Sequence, residues 1–170
     1  MSTEEFCSRL DGFFGHLPKD FGYAVEIRNA GLVGPAYQKV LETHRVALVY
    51  NHWSYMPSLA EQHTRMGNFT APFTVLRLLT PLKISYEAAK KRAEPYTKIV
   101  GELPEMRRNT VELVRKAVAE NRRAYVLVNN RAEGNAPSTV QPSSMGLCGR
   151  TTLPRSTESR RARSISFSLS

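Results

Sequence analysis

Polar and charged side chains follow the apolar segments of this chain, and they are the residues best suited to chemistry. They are Glu26, Arg28, Asn51, His52, Trp53, Arg77, Asn129 and Asn130. Guanidinium and amide groups suit an anionic or polar ligand. A carboxylate and an imidazole add groups that can exchange protons. The set predicts a polar binding site, but it does not specify a reaction.

Glu26 and Arg28 are two residues apart on a predicted strand, so their side chains point to the same face. One interpretation is an ionised carboxylate, Glu26, that serves as the acid–base candidate, with Arg28 holding the anionic group of a ligand. The alternative is a structural ion pair, because buried charges are rare unless they are paired. Arg77 has the same two interpretations: it binds an anion through parallel hydrogen bonds, or it pairs with Glu26.

The remaining candidates follow the second and the last strand. His52 is the second catalytic candidate, as an acid–base group or a metal ligand, although a lone histidine is more often structural. Trp53 could stack on a base or a sugar, and Asn51 is a further ligand-binding candidate. Asn129 and Asn130 could bind a ligand or make a turn. We expect Asn129 to face inward and Asn130 to hold the following loop.

Four short apolar segments alternate with helical patterns and must position these residues. Such alternation predicts βαβ units and a parallel sheet, in which ligands meet the carboxyl ends of the strands. Ser2, Ser58 and Pro104 mark helix starts, and no helix is expected after the last strand. The predicted strands are Tyr23–Arg28, Val46–Asn51, Phe73–Arg77 and Ala124–Asn130.

The composition separates residues 1–141 from a tail at 142–170. The chain has 170 residues and a net charge of +9, enough length for one domain and a weak preference for anionic partners. The tail is rich in Ser and Arg and has no apolar period, so we expect it to be disordered. A nucleic-acid-binding arm is the alternative interpretation of its arginines.

The sequence gives no support for a disulfide framework, a metal site, a phosphate loop, a membrane span or a signal peptide. The two cysteines, Cys7 and Cys148, form no disulfide or zinc pattern, which favours a reduced, cytoplasmic setting. There is no apolar run of the roughly 18 residues that span a membrane, and no signal peptide is predicted. No phosphate loop or metal motif is present, so no metal is expected and the cofactor is unknown.

Segments around the four strands resemble a known family. They are Ala24–Asn29, Tyr50–Pro57, Val75–Leu78 and Val128–Pro137. In combination they resemble the YecE-like domain of unknown function 72, from about residue 5 to 140. The resemblance implies an eight-stranded TIM-type α/β barrel of unestablished activity, of which this chain would hold about four βα units, the C-terminal half. The chain then looks like a fragment, with a tail translated in a shifted frame or simply disordered.

Three functions therefore stay open at this point. The first is a truncated barrel that binds an anionic small molecule containing phosphate or sugar. The second is a nucleic-acid-binding or metal-dependent phosphodiesterase-like barrel, which the charge and Trp53 favour. The third is an inactive fragment. A half-barrel also exposes its sheet edges, so we expect self-association. Whether the chain is an enzyme is not specified by its sequence.

Overall fold

A parallel sheet and the helices that follow its strands form the fold in the computed structural model, which describes residues 1–141 and the backbone of 165–169. The helices are α1 Thr3–Gly15, a 3₁₀ turn Ala30–Leu32, α2 Pro35–His44, α3 Leu59–Met66, α4 Tyr86–Ala93 and α5 Pro104–Ala119. The strands are β1 Ala24–Val25, β2 Ala47–His52, β3 Phe73–Leu78, β4 Arg123–Val128 and β5 Ile165–Leu169. The sequential, parallel order β1 to β5 confirms the α/β class with a parallel sheet.

Serine side chains begin three of the helices, and the sequence predicts two of these starts, at Ser2 and Ser58. The hydroxyl of Ser2 accepts a hydrogen bond from the Glu5 amide at 3.1 Å, and Ser58 does the same for Glu61 at 3.2 Å. Ser85 caps α4 in the same way. Such caps satisfy amides that have no partner within the helix. The helix α3 then ends at Gly67, whose φ of 75° suits glycine.

The two faces of the sheet are covered differently. Leu76 and Val126 are at most 1 % exposed and belong to the core, together with buried residues of α5. Val75 and Leu127 alternate with them, point to the opposite face and are only half-buried. Among the described residues, the helices thus cover one face, and the other is left partly open.

The first strand is shorter than the sequence predicts. It pairs with β2 only at Ala24 and Val25, although the apolar alternation continues to residue 28. Beyond Val25, the Ile27 carbonyl accepts a hydrogen bond from the Asn51 side chain at 2.9 Å instead of joining the strand ladder. The backbone N–H and C=O of Asn51 bond to the Gln62 side chain, so they do not pair with the segment after Val25.

The end of the chain departs from two expectations. The expectation of no helix after the last strand is wrong, because residues 136–141 are helical. Asn135 caps this segment by accepting from the Ser138 amide at 3.0 Å. The predicted disorder of 142–170 stays a prediction for residues 142–164 and 170, which lie outside the described residues. Ile165–Leu169 is instead extended and pairs with β4, with Phe167 opposite Val126.

Candidate functional site

Glu26 is the centre of a group of charges at the carboxyl ends of the strands. Its Oε1 accepts a hydrogen bond from Nε of Arg28 at 2.9 Å, and its Oε2 accepts one from Nη1 of Arg77. The Glu26 side chain is 14 % exposed, against 33 % for Arg77 and 49 % for Arg28. The ion pairing that the sequence left as an alternative is therefore present. One carboxylate between two guanidinium groups leaves a positive charge at this surface.

The strand register explains why these charges meet. Asn51 of β2 lies opposite Arg77 of β3, so both side chains point to the open face of the sheet. Glu26 follows β1, on the other side of β2, and reaches Arg77 across this position. Of the four strand-end residues expected to converge, Glu26, Arg28 and Arg77 are in contact, whereas the contacts of Asn129 are to Arg131 and Leu78.

Asn51 lies beneath these charges and is fully buried. Its Nδ2 donates to the Ile27 carbonyl at 2.9 Å. The side-chain amide of Gln62 accepts from the Asn51 backbone N–H and donates to the Asn51 backbone carbonyl. Its Oδ1 is buried and has no hydrogen-bond partner among the described residues. Because unpaired buried acceptors are rare in folded proteins, this oxygen marks a place where a ligand N–H or O–H could donate.

An aromatic pair extends the site away from Glu26. The Arg28 guanidinium lies 4.4 Å from the centre of the Trp53 ring. The Trp53 and Tyr86 rings are 6.2 Å apart and inclined at 43°, and Arg131 lies 4.8 Å from the Tyr86 ring. Sequence reasoning missed Tyr86 and Arg131. The available signals were the position of Tyr86 at the first residue of α4 and the place of Arg131 in the loop that follows β4.

His52 does not join Glu26 in the structure. It lies opposite Leu78 on the helix-covered face and is 5 % exposed. Its Nδ1 donates to the Thr80 carbonyl at 2.8 Å, so the hydrogen is on Nδ1. Burial lowers the pKa of His52, and the hydrogen bond to Thr80 offsets only part of this effect. The imidazole is therefore neutral at pH 7.

The two asparagines after β4 hold their own loop. Oδ1 of Asn130 accepts from the Ala136 amide at 2.8 Å, which is the loop-holding role expected of it. Oδ1 of Asn129 accepts from the Arg131 amide at 2.9 Å, so this residue also shapes the loop. Asn129 is 9 % exposed and bonds through its backbone to Leu78 at the end of β3. Ligand binding by either side chain stays a prediction.

A buried carboxylate that the sequence did not single out joins this loop to α5. Glu133 is 2 % exposed, and its Oε1 accepts from the Leu103 amide at 2.5 Å. Its Oε2 accepts from Nε and Nη2 of Arg107 at 3.0 and 2.8 Å. Gly134 follows with a φ of 113°, where its missing side chain allows the Lys98 carbonyl to approach. These contacts fix the loop that carries Arg131.

A cavity of about 500 Å³ lies at the opposite end of the sheet. Its lining includes Tyr23, Phe73 and Arg123, which stand at or before the amino ends of their strands. Glu26 and its partners are not part of it.

Among the described residues, no three His, Cys, Asp or Glu side chains lie together as a metal-binding group. None of the described helices has the length and apolar composition that crossing a membrane requires.

A family model described as "Protein of unknown function DUF72" matches residues 1–156. The chain belongs to this family. The match confirms the resemblance that the strand segments suggested, and the DUF72 description carries no activity. No curated protein and no solved structure matches the chain. Any function of this DUF72 chain must therefore be argued from its own residues.

Proposed function

We propose that the carboxyl ends of β1 to β4 bind an anionic small molecule that contains phosphate or sugar. The observation that carries the proposal is the convergence of Arg28 and Arg77 on Glu26, beside the unpaired Oδ1 of Asn51. Each guanidinium has five N–H donors, and the contacts to Glu26 use one from each arginine. The remaining donors are available to an anion, and Asn51 adds an acceptor for a ligand hydroxyl.

Glu26 has an orienting role in this proposal. It engages Arg28 through Nε, which leaves the outer Nη groups of this half-exposed side chain free of that contact. The carboxylate lowers the net charge, but it fixes two flexible side chains before the ligand arrives, which reduces the entropy lost on binding. A catalytic step by Glu26 or His52 is not needed for this function.

The barrel assignment supports the same location. The sequential order of parallel strands, with helices on one face, is the arrangement of consecutive βα units in a TIM-type barrel. We propose that β1 to β4 correspond to half of such a barrel, in which Val75 and Leu127 would point to the interior. Barrel enzymes bind their ligands at the carboxyl ends of the strands, which is where the charges lie.

Two other functions stay open. Nucleic-acid binding is favoured by the net charge of +9 and by the aromatic pair Trp53 and Tyr86. A metal-dependent phosphodiesterase gains no support from any cluster of acidic and histidine side chains in the described part of the chain. An inactive fragment would bind none of the ligands below.

Calorimetry with inorganic phosphate, ribose 5-phosphate and ribose tests the proposal. We expect the two phosphates to bind and ribose alone to bind far more weakly. Arg77→Ala should weaken phosphate binding about 10- to 100-fold, because a charge-assisted hydrogen bond is lost. Arg9→Ala is the matched control, since Arg9 pairs with Glu5 on the exposed surface of α1.

The fold of each variant is checked by its circular dichroism spectrum and melting curve. Arg77→Lys provides a second test if Arg77→Ala is unstable, because lysine keeps the charge but loses the parallel hydrogen bonds. Equal phosphate affinity in the folded Arg77 variants and the Arg9 control would reject the proposed site.

A further inference from the structure

Arg28 connects two parts of the strand-end surface that have different chemistry. Its Nε donates to Glu26 at 2.9 Å, while its guanidinium plane lies 4.4 Å from the Trp53 ring centre. On one side are the arginines suited to a phosphate. On the other are two aromatic rings suited to a planar group. A ligand that lies along Arg28 would meet both.

The two rings form a tilted pair that a base would have to separate. Stacked bases are about 3.4 Å apart, so a base between two rings needs roughly 6.8 Å. The Trp53 and Tyr86 centroids are 6.2 Å apart, with an angle of 43° between the planes. Tyr86 is 39 % exposed and begins α4. A rotation of the exposed tyrosine ring together with a movement away from Trp53 would open the space.

A further donor lies at the far side of the ring pair. Arg131 lies over Tyr86 at 4.8 Å, and its Nε is buried without a hydrogen-bond partner among the described residues. Bases carry ring nitrogens and carbonyl oxygens that accept hydrogen bonds. Together with the buried, unpaired Oδ1 of Asn51, this gives two unsatisfied groups of opposite kind at the same end of the sheet.

We propose that this surface binds a nucleotide, with its phosphate at Arg28 and Arg77 and its base between Trp53 and Tyr86. The inference rests on the proposed function for its phosphate half and adds the base. A sugar phosphate uses the arginines alone, whereas a nucleotide also uses the two rings. The nucleotide is therefore the better ligand of this surface.

Tryptophan fluorescence tests the assignment directly, because Trp53 is the single tryptophan of the chain. The 170-residue protein is titrated with AMP and with ribose 5-phosphate, and binding is measured in parallel by calorimetry. We expect saturable quenching by AMP, no quenching by ribose 5-phosphate, and AMP affinity higher by at least about fivefold. Base stacking on one aromatic side chain is worth about 5- to 150-fold in affinity.

Tyr86→Ala should weaken AMP binding by about that factor and change ribose 5-phosphate binding less than about twofold. Tyr55→Ala is the matched control, because Tyr55 is 70 % exposed and lies with Trp53 in the loop after β2. If AMP and ribose 5-phosphate bind equally without quenching, the base site is rejected and the phosphate site stands. If neither binds, both proposals fail.

Single-stranded oligothymidylate is the third probe. Affinity at least about 100-fold above that of AMP, falling steeply with salt, would overturn the nucleotide assignment in favour of a nucleic-acid-binding surface. Oligothymidylate binding no tighter than AMP supports the small-molecule assignment. The Tyr86→Ala protein is compared with Tyr55→Ala by circular dichroism, so that a loss of binding is not a loss of fold.

Discussion

The buried carboxylate of Glu133 offers the sharpest test of the site's supporting structure. Its two oxygens accept three hydrogen bonds, from the Leu103 amide and from Nε and Nη2 of Arg107. The Glu133 side chain is fully buried and that of Arg107 is 15 % exposed. Glu133→Gln keeps the shape but removes the charge and one acceptor. Breaking a buried pair in this way costs about 3–5 kcal/mol, because Arg107, whose side chain is 15 % exposed, then keeps only its exposed partner Glu102.

Glu102, a second partner of Arg107, supplies a matched control. Nη1 of Arg107 also contacts Glu102 at 3.3 Å, but the Glu102 side chain is 65 % exposed. A pair with such an exposed partner is worth about 0–1 kcal/mol. Glu102→Gln should therefore change the free energy of unfolding by at most about 1 kcal/mol. Both variants remove one charge from an Arg107 partner, so the comparison contrasts a buried partner that accepts three hydrogen bonds with an exposed partner that accepts one.

Urea unfolding followed by circular dichroism measures both free energies. Small domains are stable by only about 5–15 kcal/mol, so the Glu133→Gln midpoint should fall clearly at an unchanged slope. Arg107→Met together with Glu133→Gln should restore part of the loss, since no unpaired charge is then buried. Equal losses for Glu133→Gln and Glu102→Gln would refute the burial argument.

Two further predictions concern acid and self-association. Burial lowers the pKa of both His52 and His63, so below the unfolded-state pKa of about 6.5 the unfolded chain binds more protons than the folded one. The free energy of unfolding should therefore fall as the pH is lowered from 7.5 to about 5, and a pH-independent value in urea titrations would contradict this. The 170-residue chain should be a dimer or larger in light scattering, because the sheet face with Val75 and Leu127 is only half-buried and the sheet has open edges. A monodisperse monomer with cooperative melting would show that this face needs no partner.

Local chemistry explains which parts of the fold could be predicted. The starts of α1, α3 and α4 depend on serine caps a few residues from the amides they bind, and the sequence shows both partners. The parallel sheet follows from apolar segments separated by helices. The early end of β1 could not be predicted, because side chains distant in sequence occupy the backbone groups there: Asn51 binds the Ile27 carbonyl, and Gln62 binds the Asn51 backbone.

The neighbours of Trp53 in the site, Tyr86 and Arg131, were missed for a related reason. Trp53 was visible as a single aromatic residue after a strand, but its neighbours come from distant segments. Tyr86 reaches it from the start of α4, and Arg131 comes from the loop after β4. That loop is held by Glu133, whose partners lie at the start of α5. Contacts of this kind depend on loop conformation, which apolar periodicity does not encode.

The alternation of side chains along β2 divides the chemistry at the strand ends. Asn51 points to the open face with Arg77, and His52 points to the helix-covered face with Leu78. Glu26 contacts Arg77 and so belongs to the open face. A proton relay between Glu26 and His52 would have to cross β2. The two catalytic candidates of the sequence therefore have different contacts in this geometry: Glu26 bonds to Arg28 and Arg77, the arginines that we propose bind the ligand. His52 joins β2 to the Thr80 carbonyl beyond the end of β3.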